Sequence, residues 1–143
     1  MDEKEKDLLV IQLSVLKQLD VIDIWDDTRI TGGTDWEQEI IQAIARSSVA
    51  ILLVSANFLT SKIINTVEIP QFLERHAKDK DFVIYPIIVK PCLWNAVPWL
   101  KRVEVRPKGG KAIWSGDANV DIELAKIADE VTGIIKDRWF RGD

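Results

Sequence analysis

The chain is short of the residues that most enzyme chemistry uses. It has one histidine and one cysteine in 143 residues. A nucleophile needs a base beside it. His76 lies late in a predicted helix between Arg75 and Ala77, with Lys78 close by, and reads as a solvated surface side chain. Cys92 has no partner for an internal disulfide, fits a reducing compartment and reads as core. No Cys/His cluster has metal-ligand spacing, so no metal is expected. The chain also has no excess of positive charge. Its net charge is −4, and nucleic-acid binding, which runs on phosphate neutralisation, is not expected. No apolar run reaches the roughly 20 residues that span a bilayer. The N-terminus, Asp2-Glu3-Lys4-Glu5-Lys6-Asp7, lacks the basic flank and apolar core of a signal peptide. A cytoplasmic protein without membrane or nucleic-acid partners is expected.

Glycine is sparse as well, and two glycine pairs tempt a phosphate-binding reading. In Gly109-Gly110-Lys111-Ala112 the first glycine is misplaced and the magnesium-binding hydroxyl is missing. Gly32-Gly33 alone is too thin for a dinucleotide fingerprint. Lys101, Arg102, Arg106, Lys108 and Lys111 read as a solvated rim.

What the chain does have is apolar patterning. It is 47% hydrophobic and 29% charged, the balance of a soluble globule, and its length suits one domain, residues 1–143. Leu8–Leu19 reads as a helix through Leu9, Leu13 and Leu16, although its β-branched residues also tolerate a strand. Val21–Trp25 reads as a short strand. Thr34 or Asp35 can cap a helix over Trp36–Arg46. Val49–Val54 and Phe82–Val89 are continuous apolar runs, the mark of strands buried on both faces. Between them Ile63–Ala77 reads as a helix that starts near Thr66–Ile69, because Pro70 is tolerated only in a first turn. Pro91–Trp99 reads as loop, Val103–Val105 as a weak edge strand, and Val120–Lys136 as a final amphipathic helix. Strands alternating with helices predict an α/β fold with a parallel sheet covered on both faces.

The carboxylates are the remaining candidates. Asp26, Asp27 and Arg29 follow a strand end, where open α/β sheets bind ligands. A solvated loop with an N-cap is the plainer reading. Glu68 stands among Ile63, Ile64, Val67 and Ile69. A carboxylate in apolar surroundings can act as acid, base or stabiliser of positive charge. The plainer reading is a first-turn glutamate facing the helix dipole.

Taken together, Ile22–Arg29, Trp36-Glu37-Gln38-Glu39-Ile40, Ala50–Leu59, Ile87–Trp94 and Pro98-Trp99-Leu100 resemble a bacterial Toll/interleukin receptor (TIR) domain, in order and over nearly the whole chain. The resemblance implies a flavodoxin-like three-layer fold with a central parallel sheet. It implies an NAD+ nucleosidase that cleaves the nicotinamide–ribose bond in signalling or antiphage defence, with NAD+ as substrate rather than cofactor. Glu68 falls at the catalytic glutamate, and Asp26, Arg29, Gly33, Ser55 and Ile64 fall at the substrate pocket. Asp27, Thr28, Ile30, Thr31, Gly32 and Trp36 belong to the loop through which such domains assemble. Two other readings stay open: a non-catalytic module that acts through TIR–TIR self-association, and a nucleotide sensor that does not cleave.

The chain departs from the family pattern twice. Ile64 stands where catalytic members often carry a tryptophan. The usual first strand, expected between Val21–Trp25 and Val49–Val54, is missing ahead of Asp2-Glu3-Lys4. The expected repairs are direct pairing of those two strands, conversion of Leu8–Leu16 to a strand, or strand exchange between chains.

Overall fold

The computed structural model describes residues 7–8, 11, 22–25, 42, 48–62, 64–116 and 119–140, with the side chains of 22–25 and 135–140 left aside. Three strands form a parallel sheet in the order β1 (Ile22–Trp25), β2 (Val49–Val54), β3 (Val83–Ile88). The two strands expected to flank an intervening strand are direct neighbours. Ile22 aligns with Val49 and Trp25 with Leu52. Direct pairing, one of the three expected repairs, supplies partners for the backbone of β1 and β2, which would otherwise be costly to bury. Asp7, Leu8 and Ile11 are helical, as the helical reading of that segment requires. Leu8 and Ile11 are exposed, off the face set by Leu9, Leu13 and Leu16.

The sequence Val-Ala-Ile-Leu-Leu-Val of β2 has no polar face because it has no wet face. Its six residues are all within 1% of full burial. Side chains alternate along a strand, so Ala50, Leu52 and Val54 enter one apolar layer and Val49, Ile51 and Leu53 the other. In the first layer they meet Ile84 and Ile88 of β3 with Phe58, Ile64, Ile69, Phe72 and Leu100. In the second they meet Tyr85, Ile87 and Val89 with Ile113, Leu124, Ile127 and Val131. Each fully buried aliphatic side chain contributes about 1.5–3 kcal/mol of transfer free energy. Helix α2 (Ile69–Lys78) supplies Ile69 and Phe72 to the first layer, and α4 (Val120–Phe140) supplies Leu124, Ile127 and Val131 to the second. The result is the three-layer α/β arrangement. Between β2 and α2 lie α1 (Ala56–Thr60) and a π-helical turn, Ile64–Glu68. The segment expected as loop contains a 3-10 turn, Trp94–Ala96, and a one-turn α3, Pro98–Lys101.

Val103–Val105 does not form the expected edge strand. The chain touches β3 through one parallel bridge, Arg106 with Ile87. Arg106 donates its N–H to the Pro86 carbonyl (2.9 Å) and accepts from the Ile88 N–H (2.7 Å). The reason is Pro86. In a strand, N and C=O of one residue point the same way, so the Pro86 nitrogen also faces this edge. Continuing the ladder through Glu104 would need a donor at residue 86, and proline has none. On the other side the Ile88 carbonyl is taken by the Ile113 N–H (3.0 Å). The same proline costs nothing towards β2, because it presents its missing donor to the sheet edge.

Candidate functional site around Glu68

Strand β2 ends at Ser55, a candidate pocket residue. Its hydroxyl accepts the Phe58 N–H (3.2 Å), capping α1, and it is buried. A capping hydroxyl satisfies one of the donors a helix start leaves over. The chain beyond α1 is held by short polar bonds. Asn65 donates its side-chain amide to the carbonyls of Leu59 (2.8 Å) and Ser61 (2.7 Å), and Thr66 donates its hydroxyl to that of Lys62 (2.7 Å). Ile64 donates its N–H to the Ser61 hydroxyl (3.3 Å). Pro70 sits in the first turn of α2, where the sequence reading placed it. Proline has no N–H and crowds the carbonyl four residues back, here that of Thr66. The wide π-helical winding just upstream gives that carbonyl room, and such turns recur at functional sites.

Glu68 is the last residue of that wide turn and is 0% exposed. It precedes α2 in helical geometry but its side chain does not cap that helix. Its sequence neighbours Val67 and Ile69 belong to the apolar layer under α2, as does Ile64, itself 1% exposed. The wide turn and α2 carry the chain from the end of β2 to the start of β3. Glu68 therefore belongs to the carboxyl side of the sheet, with Ser55. Strand β1 reaches the same side, since Trp25 aligns with Leu52. Glu68, Ile64 and Ser55 are thus brought to one end of the sheet. Asp26, Arg29, Gly33, Asp27, Thr28, Ile30, Thr31, Gly32 and Trp36 lie outside the described residues.

Two surface assignments need correction. His76 is half-buried, and its Nδ1 donates to the Phe82 carbonyl (2.8 Å). Arg106 is no member of a solvated rim. Its side chain is 16% exposed, with Nε 2.5 Å from Glu130 Oε1 and Nη2 2.9 Å from Glu104 Oε2. The Tyr85 hydroxyl donates to the same Glu130 oxygen (2.6 Å). Burial, and then the Glu130 carboxylate it donates to, push the Tyr85 hydroxyl pKa far above its ordinary value. Burial opposes ionisation of Glu130, but the Tyr85 and Arg106 hydrogen bonds outweigh it and hold the carboxyl below its usual range. The sequence offered one hint of this cluster, a single tyrosine in an otherwise apolar strand. Cys92 is half-buried against the α2-side layer, and burial pushes its thiol pKa up, which suits packing and not nucleophilic attack. Among the described residues no group of three His, Cys, Asp or Glu side chains is placed to hold a metal. No helix there is long and apolar enough to cross a membrane.

The family profile described as TIR domain matches residues 8–111. The chain belongs to the TIR domain family. A relative from Sinorhizobium fredii (strain NBRC 101917 / NGR234), named "Uncharacterized protein y4lF", is 37% identical over 134 residues. That alignment covers 92% of this chain and 41% of the relative, so the chain spans about two fifths of that protein's length. No solved structure gives a significant match. The TIR profile ends before α4, yet α4 packs on the same sheet through Leu124, Ile127 and Val131.

Proposed function

We propose that this TIR domain is an NAD+ nucleosidase, with Glu68 as its key carboxylate. The observation that carries the reading is a fully buried carboxylate at the carboxyl end of a parallel sheet, with Ile64, Val67 and Ile69 of the apolar layer as its neighbours in sequence. Burying a carboxylate costs free energy that an apolar side chain in its place would not. Its retention calls for a task, and a single acid suffices for this one. In NAD+ the nicotinamide ring is a cation, so it departs as a neutral molecule, taking the bonding pair of the C1′–N bond, without a general acid. The positive charge passes to the ribose. A carboxylate beside that ribose stabilises the developing oxocarbenium. Water then bonds to C1′ and releases a proton, giving ADP-ribose. In this reading Asp26, Arg29, Gly33, Ser55 and Ile64 border the substrate, and Ile64 gives an aliphatic rather than an aromatic wall. Because Glu68 has no exposure, turnover requires it to become accessible to substrate.

That same enclosure favours a second reading, a non-catalytic module acting through TIR–TIR contacts. TIR domains generally mediate such contacts, and the loop Asp26–Trp36 would supply them here through Asp27, Thr28, Ile30, Thr31, Gly32 and Trp36. The two readings separate on three variants. As a nucleosidase, the purified chain at high concentration releases nicotinamide from NAD+, and Glu68→Ala does not. As an assembly module, neither turns over NAD+, Glu68→Ala still self-associates, and Arg29→Ala or Trp36→Ala does not.

A further inference from the structure

The residues buried along the wide turn and α2 recur every four positions. Ile64, Glu68 and Phe72 are 1%, 0% and 1% exposed, whereas Asn65, Thr66 and Pro70 between them are exposed. A regular α-helix does not have that period. It advances about 100° per residue, so four residues overrun a full turn by about 40° and eight by about 80°. The π-helical turn Ile64–Glu68 closes its hydrogen bonds one residue later than an α-helix does and winds more slowly. Its slower winding offsets the drift and keeps Ile64 in line with Glu68 and Phe72. Packing favours that row at Ile64 and Phe72, but a carboxylate gains nothing from apolar burial. The packing of Glu68 therefore does not explain why the row runs through it.

Pro70 gives a reason. It stands in the first turn of α2 with its ring exposed, so its contribution is to the backbone. In regular winding the N–H of position 70 would bond to the Thr66 carbonyl. Proline has no N–H, and its ring would strike that oxygen. Upstream, side chains support the wide winding, because the Asn65 amide and the Thr66 hydroxyl take the carbonyls of Ser61 (2.7 Å) and Lys62 (2.7 Å). We propose that Pro70 is a positioning residue for Glu68. By keeping the turn wide it fixes the angle about the helix axis between Glu68 and Ile64, and so the direction in which the carboxylate is held at the carboxyl end of the sheet. Pro70 touches no substrate in this arrangement and acts only through the turn. Its effect on NAD+ cleavage rests on the nucleosidase reading, whereas its placement of Glu68 does not.

The test is the variant Pro70→Ala, examined by crystallography and by steady-state NAD+ kinetics on the whole chain beside the parent. Alanine restores the missing N–H and favours regular winding. The crystal structure is expected to show α-helical winding over residues 64–68, with the position-70 N–H bonded to the Thr66 carbonyl and Glu68 turned relative to Ile64. The kinetics are expected to show kcat at least about tenfold lower with KM within about twofold, because a displaced carboxylate loses its grip on the transition state and leaves ground-state binding in place. Pro98→Ala is the control. Pro98 is likewise an exposed proline in a first turn, that of α3, and a 3-10 turn rather than a wide one precedes it. It is expected to keep both the winding at 64–68 and the parent kinetics. A wide turn that persists in Pro70→Ala would overturn the proposal, as would a rewound turn with unchanged kcat or an equal loss in Pro98→Ala. A parent that leaves NAD+ intact would remove the nucleosidase reading alone, since the winding in Pro70→Ala still decides whether Pro70 places Glu68.

Discussion

At the scale of single residues, the Tyr85–Glu130–Arg106 cluster ties β3 to α4 across 45 residues of sequence. Tyr85→Phe removes one hydrogen bond to a carboxylate without changing shape. A partly exposed bond of this kind is worth about 1 kcal/mol, so denaturant melts of Tyr85→Phe should show a loss of that order. The pH dependence follows from Glu130, whose folded pKa is depressed. Its contribution is complete above the unfolded glutamate pKa, about 4.3, and is lost as pH falls through the lower folded value. Thermal melts from pH 7 to pH 3 should show the parent losing stability faster than Glu130→Gln below about pH 4.5. A second contrast sits at Gly109 and Gly110, both with positive φ. A Cβ at Gly109 meets open space, whereas at Gly110 it would fall inside the Trp94 indole. Gly109→Ala should cost about 1 kcal/mol for the backbone alone. Gly110→Ala adds displacement of Trp94 and should cost about 2–4 kcal/mol. Equal losses in the two variants would remove the packing argument.

At the scale of elements, the α1 cap and the wide turn lead the chain from β2 to Glu68. Ser55→Ala deletes a buried cap bond and should lower stability by about 1 kcal/mol, measurable by urea unfolding. Elements with local causes were legible in the sequence. Six apolar residues in a row could only be a strand covered on both sides, and the spacing of Leu124, Ile127 and Val131 set the face of α4. Pro70 located the start of α2. Elements with remote causes were not legible. Val103–Val105 looks like a strand until Pro86, seventeen residues earlier, is seen to lack the donor it needs. His76 looks solvated until the Phe82 carbonyl is beside it. Arg106 looks like a rim residue until Glu130 arrives from α4. The π-helical winding before Pro70 left no pattern of its own, since a five-residue turn is too short to show a period.

At the scale of the whole molecule, the sheet closes by pairing β1 directly with β2, and its carboxyl end gathers Ser55, Ile64 and Glu68. The position of Glu68 came from family resemblance, and its full burial did not. A glutamate ahead of a helix reads from sequence as a dipole partner near water, and only three-dimensional packing buries it completely. In the proposed function this buried carboxylate carries NAD+ cleavage. The most direct measurement is nicotinamide release from NAD+ by the purified chain and by Glu68→Gln, which keeps the side-chain volume and removes only the charge. Turnover by the parent and a loss of at least about 100-fold in Glu68→Gln are expected. Equal turnover in both proteins, or none in the parent at high concentration, would contradict it.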